Sequence, residues 1–163
     1  MTDLIGGNGI DQFLLGLSCT SVQKAEYSWH LIFGEDKRSL NLECPWRLLV
    51  GGSIAFGDED HEQQFGLPAP VDGEELTRRI LSASPVISVD VTPTADITLT
   101  FENGVVLEAF NHSGGYEAWT VSDANLFGFL AVAQGGGRLE IMDAGEKKSR
   151  SGLSSRYVAP TNE

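Results

Sequence analysis

Apolar residues recur at every second position through a series of short runs in this chain, and each run stops at a turn signal. Tyr27, Trp29, Leu31 and Phe33 alternate with Ser28 and His30, and Gly34-Glu35-Asp36-Lys37 then turns the chain. Leu40, Leu42, Cys44, Trp46, Leu48 and Val50 alternate with Asn41, Glu43 and Arg47, up to Gly51-Gly52. Ile97, Leu99 and Phe101 repeat the pattern before Asn103-Gly104, a pair that tolerates the positive φ of a tight hairpin. A period of two places successive side chains on opposite faces, so these runs predict half-buried strands. Further strands are expected over 13–22, 54–56, 86–91, 105–110, 116–121, 127–133 and 139–142. Pro45 cannot donate to a ladder, so the chain is expected to bend there or to lie at an edge.

Only one segment changes period. Asp72 stands three residues before Glu75, a capping-box spacing, and Leu76, Ile80 and Leu81 follow at helical intervals. The spacing predicts a helix over about 73–84, stopped by Pro85. Either side of it the strand pattern is the same. Ser21-Val22 matches Ser88-Val89, Trp29 to Phe33 matches Ile97 to Phe101, and Trp46 falls near Trp119 after a short insertion. The expectation is a mainly β chain of two related antiparallel meanders, forming either a sandwich or a curved, half-barrel sheet. Residues 1–144 make a single domain with an internal duplication, about 17–50 and 84–121, and 145–163 a polar, basic tail. The predicted core is Trp29, Leu31, Phe33, Leu42, Trp46, Val89, Leu99, Phe101, Leu107 and Trp119.

Charge narrows the partners. The chain carries −12 over 163 residues. The tail from Gly145 holds Lys147, Lys148, Arg150 and Arg156 against Glu146 and Glu163, which leaves −14 on the remainder. That sign repels phosphate backbones and anionic lipid, so nucleic acid and membrane are not expected partners. It suits another protein with a basic surface, and a homodimer is left open. Residues 1–7 lack the basic start of a signal peptide, and no run reaches the ~18 apolar residues of a membrane span. A cytoplasmic protein is expected, with Cys19 and Cys44 reduced.

The run Val86-x-x-Val89 through Asn103-Gly104-x-x-Leu107 to Tyr116-Glu117-Ala118-Trp119, ending in Gly135-Gly136-Gly137-Arg138-Leu139, carries a resemblance, as does Leu40-x-Leu42-x-x-Pro45-Trp46-x-Leu48. Together they resemble a family of uncharacterised bacterial domains, seen often in actinobacteria, over about residues 10–142. The resemblance implies no reaction. By analogy, some similar small acidic bacterial proteins act as immunity partners of toxins.

Catalytic signatures are missing. Gly7-x-Gly9 meets Gln12 where a dinucleotide loop needs glycine, Gly51-Gly52-Ser53-Ile54-Ala55 lacks the closing glycine of a nucleophile elbow, and no His-Glu-x-x-His occurs. The acidic run Asp58, Asp60, His61, Glu62 lacks the spaced ligands and central glycine of a calcium loop and reads as solvated. No cofactor, metal site or enzymatic activity is expected. The candidate ligand- or partner-binding residues are His112, Tyr116, Glu117 and Trp119. Read as one strand, 116–121 puts Glu117 and Trp119 on one face, and a carboxylate beside a buried ring must be solvated or paired. The expected function is a non-enzymatic, immunity-like protein-binding domain. The alternative is a small-ligand module with a pocket near Glu117.

Overall fold

A computed structural model describes residues 9–123 and 128–143. Among the described residues, eleven strands lie in two antiparallel sheets. β1 (Cys19–Lys24), β2 (Trp29–Phe33), β3 (Arg38–Leu42), β9 (Trp119–Ser122), β10 (Phe129–Gln134) and β11 (Arg138–Asp143) form one sheet in that spatial order. The other runs β5 (Ser53–Gly57), β4 (Trp46–Val50), β8 (Val106–Ala109), β7 (Ile97–Phe101), β6 (Val86–Val91). Neither sheet closes on itself, so the mainly β fold is a sandwich, not a barrel.

The chain passes between the two sheets twice. The meander β1–β2–β3 lies in one sheet, and the chain then crosses at Cys44-Pro45 to place β4 and β5 in the other. The meander β6–β7–β8 lies in that second sheet, and the chain crosses back to place β9 and β10 beside β3. Pairing follows the same scheme in each half. Trp46 opens β4 opposite Ala109, the last residue of β8. Trp119 opens β9 opposite Leu42, the last residue of β3. A register shift falls between Cys19 and Ser21 in β1 and between Val86 and Ser88 in β6.

The alternating residues meet in the middle. Trp29, Leu31, Phe33, Leu42, Trp46, Leu99, Phe101, Leu107 and Trp119 are all buried. Val89 is the exception among the expected core residues, being half-buried and packed against the core. It sits on β6, next to β7 at the end of its sheet, and the bulge turns Val86 and Val91 inward while Ile87 faces out. Cys19 and Cys44 are buried and free, and burial pushes both thiols up to about 12.

The expected helix is α2, Gly73–Leu81. Asp72 caps it by accepting from the Glu75 N–H at 3.1 Å, whereas the Glu75 carboxylate is held by Arg78 at 2.7 and 3.0 Å and does not return to the cap. α2 ends three residues early because Ala83 turns left-handed at φ 55 and the Asn103 amide takes the Ile80 carbonyl. A second helix, α1 (Ile10–Leu14), takes the place of the start of the strand expected over 13–22. Ile10 and Leu14, four apart, are fully buried, and Phe13 stacks on Phe129 at 4.7 Å. Phe127, the expected start of β10, and the tail 145–163 lie outside the described residues. Among those residues, no helix is long and apolar enough to cross a membrane.

The loop-bearing end as candidate functional site

Register places six connections at one end of the sandwich. Trp29 faces Leu42, Leu42 faces Trp119 and Trp119 faces Ala133, which gathers the β1–β2, β3–β4, β8–β9 and β10–β11 connections. In the second sheet Trp46 faces Ala109, Ala109 faces Ile97 and Arg47 faces Gly57, which adds the β6–β7 connection and the segment after β5. This end carries Glu26, Glu43, Asp58, Glu59, Glu62 and Glu117, alongside Lys24, Arg47 and Arg138. Two tyrosines project from it, Tyr27 at 82% exposed and Tyr116 at 83%.

The four candidate residues all belong to this end, but the structure does not bring them together. Trp119 is wholly buried, and its Nε1–H donates to the Ala95 carbonyl at 2.7 Å. Tyr116 and Glu117 are not on a strand: β9 begins only at Trp119, and both residues are exposed on the connection before it, whereas Ala118 between them and the strand is buried. The expected shared face of Glu117 and Trp119 is therefore absent. The cause is local. Ser113 Oγ accepts from the Gly115 and Tyr116 N–H groups at 3.1 and 2.9 Å, and its carbonyl accepts from Gly136, so the segment is held as a loop against the glycine turn. A Cβ on Gly135 would come within 2.3 Å of the Gly115 backbone, so this approach requires glycine. Trp46 does not stack on Trp119. It packs edge-on against Trp29 at 5.3 Å and Phe56 at 5.5 Å.

His112 does line a cleft, of about 290 Å³, together with Tyr27, Trp29, Cys44, Pro45 and Asp58. Glu117 lines neither this cleft nor its two neighbours, of 350 and 470 Å³. Cys, His and Asp in one cleft suggest nucleophilic chemistry, but the geometry opposes it. No hydrogen bond joins Cys44 to His112, and the buried thiol, pushed up to about 12, stays protonated, whereas a nucleophilic cysteine needs a lowered value. Among the described residues no group of His, Cys, Asp and Glu is placed to hold a metal ion.

The acidic run is partly structural. Asp58 Oδ1 accepts from the Trp46 N–H at 3.1 Å, Asp60 Oδ2 from Gly57 at 2.8 Å, and His61 Nδ1 from Gly73 at 3.0 Å. His61 also meets the Trp29 ring edge-on at 5.3 Å. Burial, then repulsion from Glu59 and Asp60, hold the Asp58 carboxyl above its ordinary 3.8, against the pull of the Trp46 N–H. A raised carboxyl value favours the protonated form in the fold, so this group's contribution to stability is full below 3.8 and falls as pH rises through the raised value. Asp58→Asn keeps an acceptor for Trp46 and removes the charge. It is expected to melt about 1–2 °C above the parent at pH 7, a small figure because the carboxylate keeps part of its hydration. The gap should close near pH 3.5. A variant less stable than the parent at pH 7 would show that the charge on Asp58 strengthens the Trp46 bond by more than its burial costs.

Comparison with family models, with curated proteins and with solved structures returns no match. The functional reading rests on the geometry of this end.

Proposed function

We propose that this chain is a non-enzymatic, immunity-like binding domain that docks a basic protein partner on the loop-bearing end of its sandwich. The observation that carries the reading is the pairing of exposed aromatics with carboxylates there: Tyr27 and Tyr116 stand out of a surface set with Glu26, Glu43, Glu59 and Glu117. Tyrosines supply contact area at low entropic cost and are enriched where proteins meet. A field of one sign speeds encounter with the opposite sign and disfavours other partners. A cytoplasmic setting belongs to the same proposal, as does a bacterial origin, the latter through the resemblance of the Glu117-Ala118-Trp119 and glycine-turn motifs.

The test is co-purification of the tagged full chain with the products of the reading frames beside its gene, at 0.1 and 0.5 M salt. The expected result is a basic partner whose binding weakens at least tenfold in high salt and in the Glu43→Lys/Glu117→Lys double variant. Absence of binding to any neighbour, or binding indifferent to both salt and charge reversal, would reject the proposal. A small-ligand module remains the second reading, favoured by the cleft at His112 rather than by Glu117. That cleft sits at the lower limit of usual ligand sites, about 300–1,000 Å³.

A further inference from the structure

The 62–71 loop, beside the docking end, presents apolar side chains that the fold does not use. Its base is closed by main-chain hydrogen bonds, from Glu62 N–H to the Val71 carbonyl and from Val71 N–H to the Gln63 carbonyl, both 2.8 Å. Its turn is closed by Leu67 N–H to the Gln64 carbonyl at 2.8 Å and by the Gln64 amide to the Leu67 carbonyl at 2.9 Å. Everything from Glu62 to Pro70 is exposed, yet the tip reads Phe65-Gly66-Leu67-Pro68. Phe65 is 67% exposed and Leu67 50%. Phe65 also holds a left-handed φ of 47, a conformation glycine or asparagine adopts easily and a bulky side chain does not. Burial gives this ring little in return. Around the loop base stand Glu62, Asp72 and Glu74, which line the 470 Å³ cleft with His61.

We infer that the Phe65–Leu67 tip is the anchor of the docking surface: it enters an apolar pocket on the partner protein whose rim carries Lys or Arg side chains. The inference rests on the protein-binding reading and deepens it. A pre-shaped loop loses little entropy on binding, and an aromatic anchor seated in a pocket commonly dominates an interface. Charge complementarity selects the occupant. A second copy of this chain would bring its own carboxylates against Glu62, Asp72 and Glu74, and a phosphate-bearing lipid surface would be repelled in the same way.

A phage library of random twelve-residue peptides, selected on the full chain at 0.1 M salt, supplies the probe. Two variants serve as counter-screens: Phe65→Asn/Leu67→Ser at the tip, and Glu43→Lys/Glu117→Lys away from it. The expected outcome is enrichment of peptides with Lys or Arg flanking aromatic or aliphatic residues, bound at least tenfold more weakly by the tip variant. Basic peptides that bind the tip variant as tightly as the parent, and lose affinity for the charge variant, would overturn the anchor and leave the protein-binding reading standing. Failure to enrich any peptide, or enrichment without basic residues, would overturn both. The tip variant is also expected to melt at or above the parent temperature, since asparagine relieves the left-handed strain. A fall of more than about 3 °C would show that Phe65 packs within the fold, and would overturn the anchor by itself.

Discussion

Trp119→Ala is expected to cost about 3–5 kcal/mol, read as a fall in the urea midpoint at unchanged slope. The ring has no exposed surface, lies opposite Leu42 and Ala133 in adjacent strands, and donates its N–H to Ala95. Its removal leaves a cavity and an unpaired carbonyl together. A domain of this size holds roughly 5–15 kcal/mol in all, so the variant loses a large share. Glu117→Gln, two residues away on the exposed loop, is expected to stay within about 0.5 kcal/mol. Phenylalanine variants separate packing from hydrogen bonding. Trp119→Phe orphans the Ala95 carbonyl, whereas Trp46 Nε1 is buried without a hydrogen-bond partner, so Trp46→Phe removes no such bond. Trp119→Phe should therefore cost more than Trp46→Phe, by about 1 kcal/mol. An unchanged midpoint in Trp119→Ala would place the ring on the surface and return it to the binding residues.

The contrast between Trp119 and Glu117 shows what periodicity reports. Alternation found β2, β3, β7 and β8 because each lies between two strands with one face in the core, so its side chains must alternate. The same alternation continues back through Tyr116-Glu117, which are exposed on a loop, and there it has no structural meaning. The start of β9 is set by pairing with Leu42, and the loop before it by Ser113 and by Gly135 against Gly115, contacts between residues far apart in sequence. α1 was missed for a different reason: five residues are too few to show a helical period, and Phe13 and Leu14 run into the apolar stretch before Cys19. Of the candidate site, the net negative charge was legible from composition, and which carboxylates share one end was not, because that needs the register of both sheets. Phe65 and Leu67 did leave a signal. They are apolar residues in a stretch without period, between Glu62 and Pro70, where no strand or helix could bury them.

Gly73→Ala carries the same reasoning into the floor of the docking end. Gly73 is the first residue of α2, and alanine in a helix is ordinarily better than glycine by about 1 kcal/mol. Here space decides the sign. A Cβ at this position would stand 2.5 Å from Phe56 Cζ and 2.9 Å from Trp29 Cη2. Neither ring can swing aside: Phe56 meets Trp29 at 5.8 Å, and both press edge-on against Trp46. Overpacking of this kind costs about 1–3 kcal/mol, and the gain in propensity is small at a helix's first residue, so a net loss of about 1–2 kcal/mol is expected. Gly114→Ala is the control, since no atom lies within 4 Å of its Cβ position and its backbone is not left-handed; it should stay within about 0.5 kcal/mol. The effect should also reach the loop. The Gly73 N–H donates to His61, and His61 leads directly into Glu62 at the base of the 62–71 loop. Moving the helix start loosens that base, so limited proteolysis at Phe65 should quicken in Gly73→Ala under conditions where the core stays folded. If Gly73→Ala is as stable as the parent, helix propensity outweighs the ring contacts. If it is less stable but Phe65 is cut no faster, the loop holds its shape through its own hydrogen bonds, without His61.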